Sequence, residues 1–234
     1  MILCLETSTA VCSVALCNKN GTVALRESDG DKSHASQLTL FISELLSGAK
    51  ITASDLEAIA VSKGPGSYTG LRIGVSTAKG IAYGASIPLI GIETTFSMFC
   101  GISDDYKKKY GLGNDSLYAP MLDARRMENY YSIFSGDGTR QKDIKAEIIV
   151  ENSFANFPES VRILFFGDGA GKCRAVLKRP NIVFADEFKM SASNMCVPAF
   201  KALSEHRFED VAYFEPFYLK DFIASRPKKN ILGR

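Results

Sequence analysis

Hydrophobic and polar positions along residues 1–98 predict three strands, a helix, a strand, a second helix and a fifth strand. The predicted strands cover residues 2–5, 11–16, 22–25, 56–61 and 88–92, and the second helix covers 69–83. Ser33 is the expected N-cap of the first helix and Gly48 its stop. The apolar stripe of that helix has the spacing i, i+3, i+4, i+7 and i+8 at Leu38, Phe41, Ile42, Leu45 and Leu46.

Residues 99–215 repeat the same order of elements. Strands are predicted at 117–122, 130–134, 146–150, 162–166 and 182–184. Helices are predicted at 153–157, after the glycines at 167, 169 and 171, and at 191–205. Leu122-Asp123 ends the first strand of this half as Leu5-Glu6 does in the first half, 117 residues earlier. The repetition predicts an α/β chain of two like-folded domains, 1–98 and 99–215, that face each other. The alternative is coincidence, because β-meanders are common.

The composition is that of an ordinary globular protein, with 46% hydrophobic and 23% charged residues in a chain of 234. It excludes a collagen-like, coiled-coil or wholly disordered chain. A formal net charge of +2 predicts no strong field for nucleic acid. The apolar N-terminus lacks a preceding basic region, and five glycines or prolines interrupt the weakly charged stretch 73–92. We therefore expect a cytoplasmic protein with no targeting signal and no membrane span.

The cysteines show no C-x-x-C pair and no dense spacing. We expect free thiols, with neither a disulfide framework nor a zinc cage. The six are Cys4, Cys12, Cys17, Cys100, Cys173 and Cys196.

A glycine-rich loop, residues 63–70, lies between a predicted strand and a predicted helix. Backbone N–H groups of such a loop can hold a phosphate. The loop departs from the Walker A pattern, because Gly70 is followed by Leu71-Arg72, and from G-x-G-x-x-G, because Thr69 takes the last glycine position. Close packing without any ligand explains the glycines equally well.

Small residues recur every four positions in the helix that follows, at Gly70, Gly74, Ala78 and Ala82. Glycine inside a helix costs about 1 kcal/mol relative to alanine, which usually needs a packing reason. A smooth ridge admits another helix at close range. That helix is either the chain's own helix at 34–46 or one from another subunit.

Two hairpins, one in each half, are candidates for a nucleotide site. Glu6-Thr7-Ser8-Thr9 and Gly167-Asp168-Gly169 offer hydroxyl and amide groups to a phosphate, although turn chemistry alone also explains each of them. The candidate cofactor-binding residues are Thr7, Ser8, Gly167, Asp168 and Gly169. Only two histidines, His34 and His206, occur in the sequence, so no paired-histidine metal motif can be built.

Four segments resemble the TsaB (YeaZ) family, and the resemblance runs over nearly the whole chain. They are LCLETSTAVCSVAL at 3–16, KGPGSYTGLRIGVSTAKGIA at 63–82, MLDARRMENYY at 121–131 and FGDGA at 166–170. Pro216-Phe217-Tyr218-Leu219-Lys220 is similar to the closing motif of that family.

The resemblance implies an actin-like, sugar-kinase and Hsp70-type (ribonuclease H-like) fold: two βββαβαβα-type domains that face a cleft, with a C-terminal segment and basic tail at 216–234. It also implies a subunit of the bacterial machinery that installs threonylcarbamoyl on adenosine 37 of tRNA (t6A). Its expected partners are the paralogous transferase TsaD and the ATPase TsaE, with a homodimer when alone, and tRNA contacted only through the complex. No cofactor is required by this role, and weak ATP or ADP binding is left open.

The resemblance further implies that TsaD and this chain pair through helices of the first domain. Carried onto this sequence, that face comprises Leu38, Ile42, Leu45, Gly70, Ile73, Gly74, Thr77 and Ile81. In TsaD, an Asn-His-x-x-x-His motif binds the metal, and Thr94 and Met98 take the two histidine positions here. Hydroxyl and thioether groups are poor replacements for imidazole, so we expect no catalytic residues and no metal.

The alternative is a nucleotide-hydrolysing enzyme of the same fold, with Glu6 or Asp123 positioning water or a metal. The basic runs at 107–109 and 226–229 are most simply solvated, while the second offers a contact for RNA phosphates.

Overall fold

A computed structural model describes residues 1–28 and 34–220 of the chain. Ser33 and the basic run at 226–229 lie outside the described residues. The first sheet holds β1 (Ile2–Glu6), β2 (Ser13–Asn18), β3 (Gly21–Glu27), β4 (Ala58–Gly64) and β5 (Leu89–Glu93), and the second holds β6 (Leu117–Asp123), β7 (Glu128–Ser135), β8 (Arg140–Ile148), β9 (Ile163–Phe166) and β10 (Ile182–Ala185). The helices are α1 (His34–Ala49), α2 (Tyr68–Ala85), α3 (Thr94–Cys100), α4 (Asp104–Lys109), α5 (Ala170–Cys173) and α6 (Cys196–Ser204).

The two sheets have the same topology, which confirms the predicted duplication. Their strand orders are β3-β2-β1-β4-β5 and β8-β7-β6-β9-β10. In each sheet the first three strands are antiparallel and the last two run parallel to the first. The hairpin turn predicted at 135–138 joins β7 to β8.

The helix predicted at 153–157 is wrong. Residues 151–157 form successive turns, in which Ala155 N–H donates to Asn152 and Phe157 N–H donates to Phe154. Pro158 follows directly and disfavours helical backbone in the residue before it.

Each sheet is covered on both faces. α1 and α2 cover one face of the first sheet, and α6 with a 3₁₀ turn at Ala192–Met195 covers the other. α3 packs instead against the second sheet, where Phe99 meets the rings of Tyr118 and Phe134. The division at residues 98 and 215 stays a prediction, but α6 crosses back to the sheet of the first half.

The partner face predicted on α1 and α2 stays a prediction, but most of its residues are enclosed in the chain itself. Five of its eight residues are buried within their own half: Leu38, Ile42, Leu45, Gly70 and Gly74. A Cβ atom at Gly70 would overlap the Thr7 carbonyl oxygen, and one at Gly74 would overlap the Thr7 hydroxyl. The smooth ridge therefore accommodates the loop after β1 and not a partner helix. Ile73, Thr77 and Ile81 are half-buried at the edge of this packing.

The expectation that all cysteines are free is also wrong in this structure. Cys17 on β2 and Cys196 at the start of α6 form a disulfide, with Cα atoms 5.7 Å apart and a sequence separation of 179 residues. Sequence spacing gave no sign of this pairing, because the packing of α6 on the first sheet brings the two residues together. Cys4, Cys12, Cys100 and Cys173 are free thiols.

Residues 212–217, which lead into the C-terminal segment, return to the first half. The Lys79 ammonium on α2 donates to the carbonyl oxygens of Ala212 and Phe214 at 3.1 and 2.9 Å. The Phe217 N–H donates to the Lys63 carbonyl at 2.6 Å. This segment is therefore held along α2 and the glycine-rich loop.

Candidate functional site

A cleft of about 1050 Å³ opens between the ends of the two sheets. Residues 8–10 after β1 and 65–69 before α2 form one wall, and residues 122–128 of the β6–β7 turn form the opposite wall. Residues 217–220 close one side. His34 also lines the cleft, with Nε2 3.3 Å from the Val11 carbonyl oxygen.

Glu6 supports the first wall from inside the protein. Its side chain is fully buried, and Oε1 accepts hydrogen bonds from the Ser8 N–H at 2.6 Å and from the Ser62 hydroxyl at 2.9 Å. Oε2 has no hydrogen-bond partner. Desolvation raises the pKa of this carboxyl, and the nearby hydrogen-bond donors lower it in part. Glu6 therefore positions the loop and does not face the cleft.

The glycine-rich loop packs tightly against the same loop after β1. The Ser67 N–H donates to the Ser8 carbonyl at 2.7 Å, and a Cβ atom at Gly66 would overlap that oxygen. The Ser67 hydroxyl accepts from the Gly70 N–H and caps α2. Close packing thus explains the glycines at 66 and 70, as the alternative interpretation of the sequence held.

Only some of the candidate cofactor-binding residues line the cleft. Ser8 and Asp168 line it, whereas Thr7 is fully buried and donates its hydroxyl hydrogen bond to the Gly70 carbonyl at 2.8 Å. Gly169 is buried, and its N–H donates to the Met121 carbonyl at 3.1 Å. Gly167 lines a smaller adjoining cavity of about 450 Å³, together with Asp168. Thr7 and Gly169 therefore shape the two hairpins without facing the cleft.

Two carboxylates of the second half lie side by side at the cleft. Oδ1 of Asp168 accepts from the Asp123 N–H at 3.0 Å. The Asp123 carboxylate forms an ion pair with Lys172 and also accepts from the Arg125 N–H at 2.8 Å. Desolvation by the surrounding walls raises the pKa of Asp168. The Asp123 carboxylate is thus engaged by protein groups of its own half.

Arg125 and Arg126 occupy the tip of the β6–β7 turn in left-handed backbone conformations, with φ values of 71° and 52°. Such conformations cost a non-glycine residue about 1–2 kcal/mol. Both side chains are exposed and line the cleft, and within the described part of the chain neither forms an ion pair. Neither arginine was predicted from the sequence as a site residue. The signal in the sequence was a short β-hairpin turn, residues 124–127, that contains no glycine or asparagine to adopt a left-handed backbone.

The two positions predicted to correspond to the TsaD histidines are enclosed. Thr94 and Met98, on the first turn and a half of α3, are 0% and 1% exposed. A Cβ atom at Gly167 would overlap the Met98 methyl group. One cluster of three side chains that can bind a metal occurs among residues 1–28 and 34–220. It consists of Cys4, Cys17 and Cys196 and lies away from the cleft.

The C-terminal segment bridges the two walls. The rings of Tyr68 and Tyr218 lie 5.0 Å apart, and Arg72 Nε donates to the Tyr218 hydroxyl at 3.3 Å. Lys220 forms an ion pair with Glu128 of the opposite wall. The segment therefore links the glycine-rich loop to the second half.

Within the described chain, no helix is long and apolar enough to span a bilayer.

Comparison with known proteins identifies a family. Residues 28–228 match the TsaD family profile, described as tRNA N6-adenosine threonylcarbamoyltransferase. The chain is 30% identical over 233 residues to the tRNA threonylcarbamoyladenosine biosynthesis protein TsaB of Escherichia coli K12, covering 95% of this chain and 96% of that one.

Two solved structures from Pseudomonas aeruginosa share the fold. One is a protein with similarity to peptidase YEAZ (TM-score 0.77, 22% identity, 94% of this chain and 99% of that one). The other is YeaZ itself (TM-score 0.75, 23% identity, 93% and 99%).

Proposed function

Because the chain belongs to the TsaB family, we propose that it is a non-catalytic subunit of the t6A tRNA-modification complex. In that role it binds the threonylcarbamoyltransferase TsaD together with TsaE. It contacts tRNA only through the complex and forms a homodimer when alone.

The observation that carries the non-catalytic part of the proposal is the burial of Thr94 and Met98. A metal at these positions would have a hydroxyl and a thioether as ligands, and both groups bind borderline metals poorly. The Met98 side chain also fills the space beside Gly167. The chemistry of the transferase therefore has no support at this place in the chain.

Pairing with TsaD is supported by an outer stripe on α2, which we define as Ile73, Thr77, Gly80 and Gly84. These positions have the 4-3-4 spacing by which one helix packs along another. A Cβ atom at Gly80 or Gly84 would meet nothing within 4 Å, so the helix backbone is open to close approach there. This stripe replaces the buried ridge of Gly70 and Gly74 as the proposed contact. Leu40 of α1, 54% exposed, adds apolar surface.

Reconstitution tests both parts of the proposal. The chain is mixed with TsaD and TsaE of the same organism, ATP, threonylcarbamoyl-adenylate and unmodified tRNA. We expect t6A only when TsaD is present, and a higher yield when this chain is added. We also expect a 1:1 complex with TsaD by size exclusion with light scattering. Formation of t6A by this chain alone, or separate elution from TsaD, would refute the proposal.

A second function is favoured by the arginine pair of the cleft. We propose that Arg125 and Arg126 bind a phosphate-bearing ligand such as ATP or ADP weakly, while Ser8 and Asp168 lie on the same cleft surface. Isothermal titration with ADP should give saturable binding in the wild type and none in the Arg125→Ala/Arg126→Ala variant. Equal binding by both proteins would place the ligand elsewhere.

The alternative of a nucleotide hydrolase has less support. Glu6 is buried beneath the loop, and Asp123 is paired with Lys172, so neither carboxylate is free to position water. ATP turnover by the purified chain that Glu6→Ala abolishes, with the fold retained, would restore this alternative.

A further inference from the structure

Three cysteine sulfur atoms meet between the first sheet and α6, on the side away from the cleft. The sulfur atoms of Cys4, Cys17 and Cys196 all lie within 4.8 Å of one another. The residues are 0%, 0% and 4% exposed. They come from three elements, β1, β2 and α6. We propose that the chain, when its Cys17–Cys196 disulfide is reduced, binds one zinc ion through these three thiolates, with a water molecule in the fourth position.

The strand register places the donors on one face of the sheet. Cys17 pairs with Ile2 on β1 and with Thr22 on β3, so Cys4, two residues from Ile2, is its diagonal neighbour on the same face. α6 begins with Cys196 directly over this face. The arrangement thus depends on regular pairing and helix packing, and not on a flexible loop.

The sulfur positions fit three corners of a zinc tetrahedron. With Zn–S bonds of about 2.3 Å, the edges of such a tetrahedron are about 3.8 Å between sulfurs. Cys4 Sγ and Cys17 Sγ are 3.8 Å apart, and all three sulfurs lie within 4.8 Å of one another. The bonded sulfurs of Cys17 and Cys196 must separate to reach this spacing. Their Cα spacing of 5.7 Å allows this by rotation of the side chains.

An ion can reach the cluster from solvent. Thr22 is exposed, so the ion can enter along the edge formed by β3 and the start of α6, and a water molecule there can take the fourth position. A bound divalent ion deprotonates the thiols that coordinate it.

Zinc binding to the oxidised protein requires two steps. A low-molecular-weight thiol reduces the Cys17–Cys196 disulfide by exchange, leaving two protein thiols and the disulfide of the reductant. Three thiols then release three protons to solvent as one Zn²⁺ binds. Zinc binding therefore weakens as the pH falls. Either link, disulfide or zinc, joins α6 to the first sheet, and neither depends on the proposed pairing with TsaD.

The test measures metal content of the full chain purified under a phosphine reductant. We expect one zinc per chain by mass spectrometry in the wild type, and less than a tenth of that in Cys4→Ser. Cys12→Ser is the matched control, because Cys12 is equally buried but lies outside the cluster. It should keep one zinc.

Cobalt titration of the wild type keeps the proposal testable if Cys4→Ser does not fold. The expected result is a thiolate-to-cobalt charge-transfer band that saturates at one equivalent and is lost on adding zinc. A reduced wild type without zinc or a cobalt band would overturn the proposal. Mass spectrometry of the unreduced protein would in that case show a mass two hydrogen atoms lower and a cross-link between residues 17 and 196. The three cysteines would then form a disulfide and no zinc site.

Discussion

The Thr7 hydroxyl donates a 2.8 Å hydrogen bond to the Gly70 carbonyl, which attaches the loop after β1 to the first turn of α2. The contact is possible only because Gly70 and Gly74 have no side chain on this side of the helix. The same helix carries a second pair of glycines, Gly80 and Gly84, that faces open space. The two pairs therefore serve different purposes, and substitutions in them should have different effects.

Gly74→Leu should destabilise the protein itself. The new side chain would overlap the Thr7 hydroxyl, and overpacking of this kind costs about 3 kcal/mol. Gly80→Leu should retain or slightly raise stability, by about 1 kcal/mol or less, because leucine favours helix more than glycine does. Urea unfolding of both variants measures the difference. Gly80→Leu should then fail to co-purify with TsaD, and a normal yield of the complex would exclude the outer stripe as the contact.

Replacing Arg126 by glycine should make the protein more stable and its binding of ADP weaker. The left-handed backbone at φ 52° costs arginine about 1 kcal/mol that glycine does not incur, so the variant should unfold at higher urea concentration. The proposed binding of ADP should weaken at the same time, because one of two guanidinium groups is gone. Arg125→Lys is the control that retains both charge and strain. A less stable Arg126→Gly protein would show that the arginine side chain supports the turn.

Glu6→Gln should flatten the dependence of stability on pH. Burial raises the pKa of Glu6 in the folded protein above its ordinary value near 4.5, so the folded state holds the proton more tightly than the unfolded state does. Protonation of Glu6 therefore stabilises the folded state fully when the pH is below the unfolded-state pKa. This stabilisation is lost as the pH rises through the folded-state pKa. Between these two pKa values, the free energy of unfolding of the wild type should fall with rising pH relative to that of Glu6→Gln.

Chemical unfolding of both proteins across this interval measures the effect. Glu44→Gln, a change of an exposed carboxyl on α1, controls for the loss of one negative charge. If wild type and Glu6→Gln lose stability in parallel, the carboxyl of Glu6 is not the group responsible.

Tyr218→Ala should loosen the glycine-rich loop more than Lys220→Ala does. The tyrosine ring packs on Tyr68, and an aromatic pair contributes about 0.5–1.5 kcal/mol beyond its buried area. The Lys220–Glu128 ion pair is partly exposed to solvent and should contribute less than about 1 kcal/mol. Hydrogen exchange of residues 63–68 measures local opening. Greater exchange in the lysine variant would mean that the ion pair holds the segment.

The order of the ten strands and the duplication followed from the sequence alone, whereas the helices α3 and α4 were not predicted. Alternating apolar runs, the stripe from Leu38 to Leu46 and the turn at 135–138 are local signals, and both sheets confirm them. The helix predicted at 153–157 was wrong because turn-forming contacts and Pro158 outweighed a weak local preference. The family segments also lie in the sequence as continuous runs, so they could be recognised without the fold.

Tertiary structure decided which faces and side chains meet. Periodicity marks both glycine pairs of α2 alike, and only the packing of Thr7 against Gly70 and Gly74 determines which pair is buried. Cys17 and Cys196 are 179 residues apart, and no local pattern encodes their contact. The physical reason is the same in both cases: a side chain's environment is set by residues that the folded chain, and not the sequence, makes its neighbours.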